Sequence, residues 1–101
     1  MKLTSAEASE DGVKLTFERD GETVVKLARI SEPLDAHGAF QVAWKAREAV
    51  RDFAFKKYGP DEWQAHVPWG GRVWGAELTE AEKEIVKTAV ILLREQAEAR
   101  R

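Results

Sequence analysis

Between residues 40 and 58, four aromatic side chains and two arginines recur at helical spacing: Phe40, Trp44, Arg47, Arg51, Phe55 and Tyr58. Steps of three, four and seven put all of them on one strip of an α-helix. Arginine supplies a planar fork that matches phosphate or carboxylate. Aromatic faces supply stacking for a base or another flat ring. Together they point to a flat or anionic small ligand, a nucleotide among the candidates. Trp, Tyr and Arg are also the residues of interface hot spots, so an acidic or aromatic segment of a partner protein fits the same strip. A plainer account competes: arginine stems cover apolar surface and guanidinium groups stack on rings while their charge stays in water.

A second stretch could complete such a site. "HVPWGGRVWGAEL", His66 to Leu78, combines three glycines with Trp69, Arg72 and Trp74. Gly70 and Gly71 would let backbone amides approach an anion, Arg72 would pair with its charge, and either tryptophan could stack. It is not a P-loop, because the lysine and the Ser/Thr are missing and no strand precedes it. Its spacing is also wrong for a dinucleotide-binding turn. The competing reading is a plug: a tryptophan buries on the order of 150–250 Å² and can hold a loop down on the core. If the loop folds over the strip, it is a lid on a site; if it folds onto the sheet, it is a plug.

Catalytic chemistry has little to build on. The histidines are His37 and His66. Glu62 and His66 stand at a metal-ligand spacing, but no third ligand is evident, so no metal or cofactor is expected. A small enzyme using His66 with Asp61 or Glu62 as an acid–base pair is the remaining enzymatic alternative, and it needs a hydrogen bond between them. Asp35 and His37 flank Ala36, which reads as a hydrogen-bonded turn. The serines, Ser5, Ser9 and Ser31, lie in no nucleophile elbow.

The composition bounds these readings. A chain of 101 residues makes one domain, 1–101, with enough core to need no staples. With no cysteine, disulfides, thiolate zinc sites and thiol catalysis are excluded. A net charge of -2 argues against a duplex-DNA binder. The chain begins with no apolar run of signal-peptide length, and its longest aliphatic run, "AVILL", is too short for a bilayer. A cytoplasmic protein that does not engage membranes is expected.

The elements that would position these residues follow from periodicity. Residues from about 2 to 30 predict a three-stranded antiparallel meander, with Val13, Leu15 and Phe17 on one face. Asp11-Gly12 and Asp20-Gly21 are hairpin-turn dipeptides. A two-residue turn at Asp11-Gly12 sets Ala6 and Ala8 beside Phe17 and Leu15, leaving room for a closely packed helix. At the second turn, a three-residue loop with Gly21 as a bulge sets Leu15 opposite Val25 and Val13 opposite Leu27. That match of apolar to apolar is preferred over a two-residue turn, which would oppose Leu15 to Lys26. A linker holding Pro33 and Gly38 leads to a helix from about 39 to 58, closed by Gly59-Pro60. "PDEW" starts a short helical turn. Thr79 and Glu82 form a capping box at the head of a last helix, 79–101.

The fold class is therefore α+β, with both helices on one sheet face and the Trp/Gly loop between them. Gln41, Lys45, Glu48, Asp52 and Lys56 read as the solvated stripe of the first helix. The last helix has an apolar arc of roughly 200°, wider than one-sided packing needs, and Ile91 lies outside that arc. That width and the two open sheet edges suggest a homodimer. The leading reading is a non-catalytic binding protein. Its site residues would be Phe40, Trp44, Arg47, Arg51, Tyr58, His66, Trp69, Arg72 and Trp74. The alternative is an adaptor or inhibitor acting through the sheet edge and the helix surface.

Overall fold

Strict alternation in the first third of the chain yields the expected meander. The computed structural model describes residues 1–30, 35–67 and 78–99. Strands β1 (Lys2–Ser9), β2 (Gly12–Arg19) and β3 (Glu22–Ala28) form one antiparallel sheet in the order β1-β2-β3. Helix α1 (Ala36–Tyr58), a 3₁₀ turn (Trp63–His66) and helix α2 (Glu80–Ala99) follow. The fold is α+β, with α1 over β3 and β2, and α2 over β1. Leu3, Ala6, Val13, Leu15, Phe17, Val24 and Ala28 line the covered face, and Val42, Ala46, Ala49, Phe53, Ala89 and Leu93 descend on it from the helices. The small side chains of β1 admit α2 closely enough for Gln96 Oε1 to accept the Ala8 N–H at 2.7 Å. No helix among the described residues is long and apolar enough to cross a membrane.

Both hairpin registers differ from expectation, for separate reasons. At the first, the turn is Glu10-Asp11, and Gly12 already belongs to β2 opposite Ser9. Ala8 then faces Val13 and Ala6 faces Leu15, a slide of two that preserves the faces. Gly12 is needed for close approach rather than for the turn. At φ +134°, an added Cβ would sit 2.3 Å from the Ala28 carbonyl oxygen. A register shift between Leu3 and Ser5 places Leu3 opposite Phe17. Such a bulge reverses the side-chain parity, which brings Leu3 onto the buried face.

At the second hairpin, the two-residue turn prevails. Asp20 (φ 51°) and Gly21 (φ 82°) are both left-handed, so Arg19 faces Glu22, Leu15 faces Lys26 and Val13 faces Ala28. This turn suits the natural strand twist. Matching apolar to apolar gave the wrong answer because a lysine can lie on a core face. The Lys26 stem runs under α1 and its ammonium reaches Asp52 at 2.5 Å. Val24 and Ala28 fill the space beneath α1, and Val25 and Leu27 are left exposed on the far side of the sheet.

Local signals set the helix ends. α1 starts inside the expected linker, at Ala36, because the Asp35 carboxylate accepts the Gly38 N–H at 2.7 Å and caps the helix. Gly38 therefore does not interrupt the helix; it is buried in the first turn. Gly59, at φ 82°, closes α1 with its N–H on the Phe55 carbonyl. The Thr79–Glu82 capping box is present: the Glu82 carboxylate accepts the Thr79 N–H at 2.8 Å, and Thr79 Oγ1 accepts the Glu82 N–H at 3.2 Å. The stripe of α1 read as solvated is partly engaged, since Asp52 holds Lys26 of β3 and Lys45, Glu48 and Asp52 are only half-exposed. Ile91 stands exposed on α2, as its position outside the arc requires, while Ala81 is exposed despite lying inside it.

Candidate functional site

The strip divides in two. Arg47 turns into the α1–α2 interface and is 6% exposed. Its Nε donates to Glu82 Oε2 and its Nη2 donates to Glu82 Oε1 at 2.9 Å. This is the side-on, two-pronged geometry that arginine and carboxylate favour. Glu82 is third in α2, so its carboxylate also meets the positive end of the helix dipole. Burial pushes the Glu82 carboxyl up, but hydrogen bonds from Arg47 and Thr79 outweigh it and hold the group below the ordinary carboxylate range. The hydrogen bond to Glu82 in turn raises the Arg47 guanidinium above its usual value, against the opposing effect of burial.

This pairing accounts for an arginine that had no evident role in an aromatic row. Glu82 was legible as a helix cap but not as the partner of Arg47. A signal was available: Ala43 and Ala54 share the Arg47 flank of α1 and both are buried, and alanines beside an arginine point to a covered flank rather than a solvated one.

The other strip residues face outward to different degrees. Phe40 and Trp44 form a tilted pair, with centroids 6.1 Å apart and planes at 38°. Trp44 and Phe55 are exposed, whereas Phe40, Arg51 and Tyr58 are half-buried. The Arg51 side chain is 44% accessible, and its ion pair with Asp52, at 3.6 Å, is too long for a hydrogen bond. Arg51 is therefore partly exposed and only loosely engaged by Asp52, on the same side of α1 as Trp44 and Phe55.

His66 joins the strip at its far end. Its ring stacks on Tyr58 with centroids 3.5 Å apart and planes at 7°, and Lys57 Nζ lies 5.5 Å from the Tyr58 centroid. The stack ties the 3₁₀ turn to the end of α1. His66 is otherwise exposed, and among the described residues no hydrogen bond joins it to Asp61 or Glu62. Among the described residues no group of three or more His, Asp or Glu side chains could hold a metal ion. Trp69, Arg72 and Trp74 lie outside the described residues, and so does the choice between plug and lid.

Clefts adjoin the strip and the far end of the sheet among the described residues. One of about 390 Å³ runs between β3 and α1, lined by Thr23, Val24, Val25, Asp52, Phe55 and Lys56. A second of about 260 Å³ sits by the Asp20 turn and includes Phe53, Lys57 and Tyr58. Another of about 490 Å³ lies at the opposite end of the sheet, beside Asp11, Arg29 and His37, and among the described residues no Phe, Trp or Tyr lines it. No protein-family model matches the chain, and no curated protein or solved structure matches it significantly. The functional reading rests on geometry and chemistry.

Proposed function

We propose that this chain is a non-catalytic binding protein that works as a homodimer in the cytoplasm. It receives a flat or anionic group, a nucleotide or an acidic or aromatic segment of a partner, on the outer strip of α1. The observation that carries this reading is the contrast between the two arginines. Arg47 is consumed by Glu82, whereas Arg51 stands half-exposed with weakly engaged donors beside the exposed rings of Trp44 and Phe55. Arg51 would neutralise charge and the rings would stack. Trp69, Arg72 and Trp74 belong to the same reading on sequence grounds, and His66 and Tyr58 mark its far end.

Tryptophan fluorescence, titrated with a panel of nucleotides and small anions and with acidic and aromatic peptides, tests the proposal. A saturable response that Arg51→Ala abolishes supports it. No response to any of them from a folded protein overturns it.

A second reading, an adaptor acting through the sheet edge, is favoured by one observation: the outer side of β3 carries the exposed Val25 and Leu27.

A further inference from the structure

The two edges of the sheet are finished differently. Along β1 the register shift at Leu3/Ser5 interrupts the ladder, and the Ala8 N–H, turned away from β2, is taken by Gln96 of α2. A bulge and a covering helix are two devices that stop an edge from recruiting another strand. Among the described residues, β3 has neither. Because Arg19 and Glu22 flank a two-residue turn, Glu22, Val24, Lys26 and Ala28 are the residues that bond to β2. The N–H and C=O groups of Thr23, Val25 and Leu27 therefore point outward, and among the described residues nothing takes them. Val25 and Leu27 are 52% and 40% exposed beside them.

We infer that β3 pairs antiparallel with β3 of a second copy, with Val24 on the two-fold axis, joining two sheets into one. The inference rests on the homodimer reading above and names its surface. Outward residues must pair with outward residues, and only an axis at Val24, Val25 or Lys26 lets at least two of Thr23, Val25 and Leu27 in each copy find such a partner within the strand. Centred on Lys26, the pairing sets two ammonium groups face to face. Centred on Val25, it sets Lys26 against Val24.

Centred on Val24, it sets Glu22 against Lys26 twice, once on each side of the axis. Thr23 then exchanges both backbone hydrogen bonds with Val25, and Val24 meets Val24. Charge complementarity selects this register. Glu22 has no ion pair among the described residues, while Lys26 holds only Asp52 and its ammonium has three donors. An inward-pointing lysine usually protects an edge; here Asp52 and Glu22 turn it into a selector of register. The same placement closes the cleft between β3 and α1, bringing Phe55 of each copy towards the axis.

Light scattering on the full chain tests the pairing, with circular dichroism confirming that each variant folds. The wild type is expected to be a dimer, and Glu22→Lys and Lys26→Glu are each expected to be monomers. Mixing the two variants restores a dimer, because every pair across the axis becomes Lys–Glu.

The chain has no cysteine, so a cross-link can be read without background. Val24→Cys oxidises to a disulfide-linked dimer because non-hydrogen-bonded pairs bring Cα atoms to roughly 4.5 Å; Val25→Cys does not. Should Lys26→Glu fail to fold, this comparison decides. A monomeric wild type overturns both the inference and the homodimer reading. A dimer that survives both charge variants, or one that cross-links through Val25→Cys instead, overturns the β3 pairing and leaves the homodimer reading standing.

Discussion

Arg47 of α1 and Glu82 of α2 clasp each other inside the helix interface, with both carboxylate oxygens engaged by one guanidinium. The same carboxylate accepts the Thr79 N–H, so one side chain both caps α2 and fastens it to α1. The position of α2 thus depends on a buried charge having its partner. A buried pair of this kind contributes less than its Coulomb attraction suggests, because both ions lose water. Losing one partner is a different matter, since the other charge stays buried without compensation.

Arg47→Ala is accordingly expected to destabilise the fold by about 3–5 kcal/mol, and Glu82→Ala by a similar amount. Replacing both, as Arg47→Met with Glu82→Leu, leaves no stranded charge and is expected to cost far less than the sum of the single changes. Urea unfolding of the single and double variants measures this coupling. A double variant as unstable as the sum would show that the two residues act independently.

Acid should unfold the protein through the same carboxylate. The Glu82 group is held below its ordinary value of 4.5 in the folded chain. The unfolded chain therefore binds this proton first as the pH falls. The stabilisation is complete above about 4.5 and is lost as the pH drops through the lower, folded value. Arg47 stays charged throughout that window. Urea midpoints of the wild type and Glu82→Gln, followed from neutral pH downward, should converge below about 4.5. Parallel curves would mean that Glu82 does not govern the acid limb, since the substitution removes no other carboxylate.

The sequence made some of this legible and hid the rest for identifiable reasons. Alternation through Val13, Leu15 and Phe17 identifies the buried face of the sheet, because burial follows the two-residue period directly. The caps at Gly59 and Thr79 are legible because the chemistry is local. The hairpin registers were not, since apolar matching competes there with turn geometry and with contacts distant in sequence. Gly12 is pressed against Ala28, and Lys26 reaches Asp52 across the sheet–helix boundary. The aromatic–arginine strip exists as a line on α1, but its spacing says nothing about which neighbour each residue meets. That information lies on α2, and it separates Arg47 from Arg51.

Gly12 offers a sharp test of the corrected register. If glycine were required only by a turn, asparagine, which tolerates left-handed backbone, would serve. In the structure, any Cβ at Gly12 runs into the Ala28 carbonyl, whereas Gly21 at φ 82° has open space around it. Gly21→Asn is expected to cost less than about 1 kcal/mol. Gly12→Asn is expected to cost several-fold more, because strain at positive φ, of order 1–3 kcal/mol, adds to a backbone collision. Thermal unfolding of the two variants compares them directly; equal shifts would place Gly12 back in an unconstrained turn.

Two arginines one helical turn apart should behave oppositely. Arg47→Ala removes a buried clasp and lowers stability, as argued above. Arg51→Ala removes an outward side chain whose ion pair with Asp52, at 3.6 Å, contributes little. Its stability is expected to stay within about 0.5 kcal/mol of the wild type. Binding should show the reverse order. Arg51→Ala loses the tryptophan fluorescence response to the ligand, and so does Trp44→Ala, which removes the neighbouring ring. Arg51→Lys keeps a positive charge but not the planar fork, so it should recover only part of the response for a group held by two parallel hydrogen bonds. Urea unfolding beside the titration separates the two arginines. If Arg51→Ala unfolds as readily as Arg47→Ala while binding is untouched, the outer strip of α1 is packing, and the site lies elsewhere.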